Sequence, residues 1–329
     1  MDALSSLERG FINRYQGGFP LIEEPFSEVA GELDTTSGQL LETVTALRQR
    51  GTLSRFGPLF DADRLGGGLS LAALSVPPER YDEVTAIVNA LPEVAHNYRR
   101  DHPLNMWFVI ATDRPEGVRQ TLDRIHADSG LEVLNFPKLQ EFYLGLWLHL
   151  DEAGGVTTVP ARQATEHDTP TPLDRLDRRL IALTQAGLPL QERPYAAIAD
   201  EAGCSEDTVI ARLHAMLQGG IIRRIGAVPN HYRLGLKANG MSVWAVPDRA
   251  IATLGARIGA LDFVSHCYER PRHPPIWPYN LFAMVHGHDR DEVRAKVARI
   301  ADLVGNQCKD HQLLFSSAIL KKTGLRLPS

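Results

Sequence analysis

Cysteine is scarce in this chain of 329 residues. The three present, Cys204, Cys267 and Cys308, are odd in number and widely spaced. That spacing excludes a disulfide framework and offers no CxxC pair for zinc. A reducing compartment follows, and the protein is expected to be cytoplasmic. Long apolar runs are missing as well. None approaches the roughly 18 residues of a membrane-spanning helix, and Met1 to Tyr15 carries Asp2, Glu8 and Arg9 where a leader would have an apolar core. Nor is there an excess of positive charge. The 35 Lys and Arg stand against 40 Asp and Glu, a net charge of −5, which lacks the cationic footprint of a constitutive nucleic-acid binder. What is left is an ordinary globular composition, 43% hydrophobic, at a length that holds at least two domains.

The chain contains a repeat. Leu7–Gly57 aligns without a gap with Leu176–Gly226, and Gln16/Gln185, Pro20-Leu21/Pro189-Leu190, Glu23/Glu192, Pro25/Pro194, Ala30/Ala199, Gly51/Gly220, Arg55/Arg224 and Gly57/Gly226 are identical. Exchanges such as Phe26/Tyr195, Val29/Ile198 and Val44/Leu213 fall at apolar positions, as two copies of one core require. Further on, Val76-Pro77 matches Val246-Pro247, His96-Asn-Tyr98-Arg-Arg100 matches His266-Cys-Tyr268-Glu-Arg270, and Asn105-Met-Trp matches Asn280-Leu-Phe once a longer hairpin around Pro271–Pro278 is allowed for. Residues 151–172, rich in Thr, Pro and Gly, read as a flexible linker. The architecture is a fused pseudo-dimer.

Each copy opens with helical spacing. Leu176, Leu180, Ile181 and Leu183 form one stripe, Tyr195–Glu201 a short second helix, Gly203 a turn, and Ser205 caps a third helix that runs to about Leu217. A strand follows at Ile221–Gly226. These are the parts of a winged helix-turn-helix. Next come strand, helix, two strands, helix and strand, predicted at 69–76, 79–91, 94–100, 105–111, 116–128 and from 131, and again at 241–246, 249–261, 264–270, 280–285, 289–303 and 312–320. The fold class is therefore α+β, a tandem repeat of winged helix-turn-helix plus ferredoxin-like βαββαβ. Its domains run 1–62, 63–150, a linker at 151–172, then 173–232 and 233–329. This order resembles the Lrp/AsnC regulators.

A DNA-reading helix needs cations and amides at its start. The third helix of the second copy starts Ser205-Glu206-Asp207 and has Arg212 as its cation, while the first copy sets Asp34 and Glu42 against Arg48 and Arg50 near the far end. No nucleic-acid partner is expected.

In a strand, residues two apart share a face. His96, Tyr98 and Arg100 therefore line up over roughly 13 Å, and His266, Tyr268 and Arg270 repeat the row, while Asn97 and Cys267 point the other way. Solvent-facing positions have little reason to match between divergent copies, so the rows mark function. His102 and Arg272 continue them, Asn105 and Asn280 begin the next strands, and His273, Trp277 and Tyr279 lie on the proline-stiffened hairpin, placed either to flank a flat ligand or, as a rigid turn, to cover the sheet edge. Trp107 fits a core. The remaining histidines, His231 and His286 among them, have no partner in the other copy and are expected in solvent, core or linker; Cys204 and Cys308 are expected to pack.

The stretches His96-Asn-Tyr-Arg-Arg-Asp-His-Pro-Leu-Asn-Met-Trp-Phe108 and Tyr268-Glu-Arg-Pro-Arg-His-Pro-Pro-Ile-Trp-Pro-Tyr-Asn-Leu-Phe282 resemble siroheme decarboxylases, Lrp/AsnC-like proteins of haem d1 biosynthesis, with their two subunit types fused. The resemblance implies a carbon-carbon lyase that takes carbon dioxide from two acetates of siroheme to give 12,18-didecarboxysiroheme. It also implies no added cofactor and no resident metal. In that reading Arg100 and Arg270 bind carboxylates, which bidentate guanidinium suits. His96 and His266 deliver protons as imidazolium, Tyr98 and Tyr268 orient, and His102, Asn105, Arg272, His273, Trp277 and Asn280 hold substrate. Axial ligation of the substrate iron by His96 or His266 competes with the acid role. A tetrapyrrole carrier and a regulator remain rival readings. A further homo-oligomer and other haem d1 biosynthesis proteins stay open as partners; a membrane does not.

Overall fold

The computed structural model describes residues 4–61, 63–160 and 172–322. The first copy begins with α1 (Ser6–Arg14), α2 (Pro25–Glu32), α3 (Ser37–Gln49) and β1 (Leu53–Phe60). Ser5 and Glu8 form a capping box at α1, Pro25 occupies the first turn of α2, where its missing N–H costs nothing, and Thr36 caps α3. Leu40, Val44 and Leu47 on α3 are buried, at the spacing of one helical face. After β1 come β2 (Gly68–Leu74), α4 (Tyr81–Ala90), β3 (Val94–Arg100), β4 (Met106–Thr112), α5 (Pro115–Ser129), β5 (Val133–Pro137) and β6 (Gln140–Leu144).

A hairpin of β7 (Trp147–Leu150) and β8 (Val156–Val159) comes next. The expected linker therefore begins with an ordered strand: Val156–Val159 pairs with Trp147–Leu150, whose backbone is clasped by Gln16 and Asn13 of the first copy. The rest of that segment, 161–171, lies outside the described residues.

The second copy repeats the plan with α6 (Arg175–Thr184), α7 (Pro194–Ala202), α8 (Glu206–Gln218), β9 (Ile222–Pro229), β10 (Ala238–Trp244), α9 (Asp248–Gly259), β11 (Val264–Glu269), β12 (Leu281–Gly287), α10 (Arg290–Val304) and β13 (His311–Lys322). A capping box of Asp174 and Asp177 starts α6, and Ser205 caps α8. Two charged groups of α8 are engaged within the fold, Arg212 with Asp174 at 2.9 Å and Glu206 with Arg193.

The strand expected as a wing within each copy instead crosses to the other copy. β1 and β9 form an antiparallel pair with Gly57 opposite Gly226 at its centre. A Cβ at Gly57, where φ is +143°, would lie 2.7 Å from the Leu188 nitrogen, because Leu188 donates to the Phe56 carbonyl just as Phe19 donates to that of Ile225. Such close approach is open only to glycine, which explains the matched glycines. Phe11, Phe26, Phe56, Tyr195, Ile198 and Leu213 thereby join one core shared by both helical units.

The remaining strands form one sheet in the order β5-β2-β4-β3-β13-β10-β12-β11-β6. Each copy contributes a ferredoxin-like set, and each lends its last strand to the other: β13 pairs first with β10 and then with β3, and β6 pairs with β11. β5 and β6, at the two ends of the order, are consecutive pieces of one stretch, with Leu139 between them donating to the Glu269 carbonyl at 2.9 Å. The sheet so closes on itself. Helices cover its outer face over two cores, and Trp107, Phe136, Met241, Trp277, Tyr279 and Phe282 fill its inner face between the copies.

Candidate active site

Both rows stand on the inner face. In β3, Asn97 turns outward and donates to Asn89 on α4, while the His96 and Tyr98 rings lie 6.2 Å apart on the opposite side. In β11, Cys267 turns outward toward the Gly255 carbonyl, and the His266 and Tyr268 rings are 6.0 Å apart. A register shift falls just before each histidine, as a β-bulge that re-aims side chains produces. The two arginines complete the symmetry. Arg100 is buried and its Nη1 donates to the Leu314 carbonyl at 2.8 Å; Arg270 donates to the Phe136 carbonyl. Each arginine thus reaches a backbone carbonyl of the other copy, Arg100 on β13 and Arg270 on β5.

Burial sets the charge states. It pulls His96 and His266 down to about 4, with Lys322 adding to the effect at His96, and Arg270 and Arg223 adding to it at His266 against an opposing pull from Glu141. It lowers Arg100 and Arg270 to about 10 and raises Tyr98 to about 12 and Tyr268 further. The imidazolium expected to deliver a proton is therefore not the form that burial favours in the protein alone. Both rings are neutral, because the low-dielectric inner face disfavours their charged form.

The surroundings of the rows differ. Facing row one are Lys322, opposite His96, and Ile319, opposite Tyr98. Lys322 sits 4.8 Å above the Tyr232 ring. Next to it opens a cleft of about 470 Å³ lined by Tyr232, Lys237, Asn239, Arg290 and Ser316. Facing row two is a lattice of ion pairs instead: Arg223 with Asp61 at 2.7 Å and with Glu141 at 2.7 Å, and Lys138 with Glu141 at 2.7 Å and with Asp63.

The six residues expected to hold substrate are occupied in building the protein. Asn105 clips both backbone groups of Val76, and Asn280 accepts from the Val246 N–H, so these asparagines repeat because the same loop is stapled twice. Arg272 bonds Asp248 and the carbonyls of Val246 and Pro278. His102 accepts from the Leu104 N–H, and His273 bonds the Asn135 carbonyl. Trp277 is 0% exposed and lies 5.1 Å from Trp107. The hairpin of the second copy folds inward, with Trp277 and Tyr279 in the core. Trp107 is core as expected.

Sequence reading passed over His231 and His286. His286 is buried and bonded to Ser265 and Asn239. The His231 ring is 5.0 Å from it, and His231, also held near 4 by burial, feels both Lys322 and His266. It therefore stands between the two rows. The repeat could not reveal either one, since the partner of His286 in the other copy is an alanine. Among the described residues no cluster of metal-ligating side chains occurs, and no helix is long and apolar enough to cross a membrane.

Fold and rows define a tandem protein of the AsnC-like class, with a matched His-Tyr-Arg row from each copy on the inner face of its sheet. Family comparison agrees: the AsnC-like ligand binding domain matches residues 65–143 and 233–321, and the siroheme decarboxylase NirDL-like HTH domain matches residues 8–53 and 177–223. The chain belongs to the siroheme decarboxylase family, in its single-chain fused form. It is 35% identical to the siroheme decarboxylase of Hydrogenobacter thermophilus over 318 residues, 94% of this chain and 92% of that one. It is 60% identical to the siroheme decarboxylase NirH subunit of Paracoccus pantotrophus over 154 residues, 47% of this chain and 96% of the subunit. The crystal structure of the siroheme decarboxylase NirDL in co-complex with an iron-uroporphyrin III analogue superposes with a TM-score of 0.69 at 31% identity, covering 97% of this chain and 92% of that one.

Proposed function

We propose that this chain is a siroheme decarboxylase that converts two acetate side chains of siroheme to methyl groups, a step of haem d1 biosynthesis. The observation that carries the reading is the His-x-Tyr-x-Arg row on the inner face of the sheet, in a chain that aligns over nearly its whole length with enzymes of this activity. Relatives that exist as separate subunits span about half of it, which supports two subunits joined in one polypeptide.

In each event the bond between the acetate methylene and its carboxylate carbon breaks. Carbon dioxide leaves, the electron pair stays on the methylene and spreads into the macrocycle, and one proton completes the methyl group. The protein's part is to hold the carboxylates and supply that proton. Arg100 is suited to holding a carboxylate, since its guanidinium uses Nη1 on Leu314 and its buried Nε has no partner in the protein. His96 is suited to supplying the proton. Substrate carboxylates bring negative charge next to an imidazole whose charged neighbour in the protein is Lys322, and that charge favours the protonated form. Tyr98, one step along the row, orients the carboxylate or the imidazole. Lys237 and Arg290 at the cleft meet outer carboxylates.

Anaerobic incubation of the full-length protein with siroheme, followed by mass spectrometry of the pigment, tests this. Loss of two carbon dioxides per pigment is the expected result; unchanged pigment that stays bound would make the protein a carrier.

A further inference from the structure

A line of polar side chains reaches His266 from behind, and row one has no counterpart to it. Asn239 and His286 face each other across β10 and β12, and the bulge in β11 turns Ser265 to the same side as His266. The Asn239 side chain also bonds Tyr232, which leaves its oxygen for His286. His286 Nδ1 meets that oxygen, and an amide oxygen only accepts, so the ring hydrogen is on Nδ1. Burial keeps His286 neutral, 5% exposed and well below the usual histidine range. Its Nε2 therefore has only a lone pair and accepts from the Ser265 hydroxyl at 2.6 Å. That hydroxyl has no second hydrogen, so it accepts from His266 Nδ1 at 2.7 Å. The one hydrogen of neutral His266 is thus on Nδ1, and the far side of its ring, at Nε2, is bare.

In row one the matching positions are Leu69, paired with Ala111, and Ala95 ahead of His96. None offers a polar side chain, and the buried His96 Nδ1 has no hydrogen-bond partner.

We infer that Asn239, His286 and Ser265 are positioning residues that fix His266 in its Nδ1–H form, so that it meets the substrate with a lone pair at Nε2 and leaves proton delivery to His96. The assignment of roles rests on the siroheme reading; the position of the hydrogen does not.

The test is a long-range ¹H–¹⁵N correlation spectrum of the full-length protein labelled at histidine nitrogens, without pigment, with the His266 signals identified by their loss in His266→Gln. At neutral pH the wild type is expected to show a protonated Nδ1 and a bare Nε2. Ser265→Thr keeps the pattern, and Ser265→Ala loses it. Asn239→Asp reverses it, because a carboxylate favours doubly protonated His286, whose Nε2–H turns the serine hydroxyl toward His266 and places the His266 hydrogen on Nε2. A wild-type His266 with its hydrogen on Nε2 overturns the inference, as does a pattern unchanged in Ser265→Ala. Should Ser265→Ala fail to fold, an unchanged pattern in Asn239→Asp does the same. A wild-type protein that shows the Nδ1–H pattern yet leaves siroheme untouched would remove the substrate reading and leave the positioning chain standing.

Discussion

Beside His96 stand Ala95, Val109 and Lys322, with an open cleft beyond at Tyr232; around His266 stand Ser265, His286 and a lattice of Asp61, Glu141, Arg223 and Lys138. The backbone of the two rows is nevertheless the same, down to the bulge and the arginine that reaches the opposite copy. A repeat inherits its strand geometry as a unit, whereas the side chains behind each strand can change one at a time. Two identical constellations thereby come to differ in where their protons sit and in what charge a ligand meets. Row one offers a polyanion Lys322, which faces an aromatic ring and not a carboxylate, and an unpartnered imidazole nitrogen; row two has already paired most of its charges.

The largest effect expected from this difference is on the chemical step. His96→Ala should slow decarboxylation by about 10² to 10⁴, the usual contribution of a general acid, whereas His266→Ala should slow it by less than about tenfold and shift the absorption spectrum of the bound pigment. Single-turnover assays and spectra of both variants check this, and equal rate losses would break the comparison. Next in size is binding. Arg100→Ala removes a charge-assisted contact worth about 1.5 to 3 kcal/mol and should weaken siroheme binding about ten- to a hundredfold. Arg270 lies 5.0 Å over Tyr268 and 5.8 Å over Phe282, so Arg270→Ala should appear mainly as lost resistance to urea; a binding loss as large as that of Arg100→Ala would make the rows equivalent.

Acid should weaken the whole inner face. Burial holds His96, His231 and His266 at about 4 in the folded protein, against 6.5 when unperturbed, and holds His286 well below 6.5 as well. Between those values the unfolded chain takes up protons that the folded one refuses, so stability is full above pH 6.5 and falls as pH drops toward 4. Each histidine contributes about 1.4 kcal/mol per pH unit in that window. Urea midpoints measured from pH 7.5 down to pH 5 should fall steeply, and His231→Gln should flatten the slope by one proton. The smallest effect concerns the ion lattice. Glu141→Gln leaves Arg223 with Asp61 and Lys138 with Asp63, so a loss of about 1 kcal/mol is expected, together with tighter polycarboxylate binding at low salt, read by titration calorimetry.

Much of this was legible in the sequence. The self-alignment disclosed the doubled fold, and the alternation in His96–Arg100 and His266–Arg270 placed both rows on one face. Identity between copies did not reveal its cause. Asn105 and Asn280 match because a loop needs stapling, and Gly57 and Gly226 match because two backbones touch. Trp277 beside four prolines looks like a rigid exposed loop, and only the space between the copies shows that it fills a core. The exchange of β6 and β13 leaves no local trace, since a strand has the same pattern whichever copy it joins. Ser265, Asn239 and His286 escaped for the opposite reason: they occur once, so a search for repetition is blind to them.

The lending of β6 and β13 also bears on how such a chain can evolve. Two first halves assembled on each other would bring Glu141 up against Tyr98, and two second halves would bring Lys322 up against His266, by the same register that now joins β6 to β11 and β13 to β3. Either mispairing scrambles both rows. A shared polypeptide makes the correct pairing intramolecular and raises its effective concentration, so each half is relieved of having to reject its own copies. Divergence that two free subunits would have to police at their interface can accumulate here without penalty.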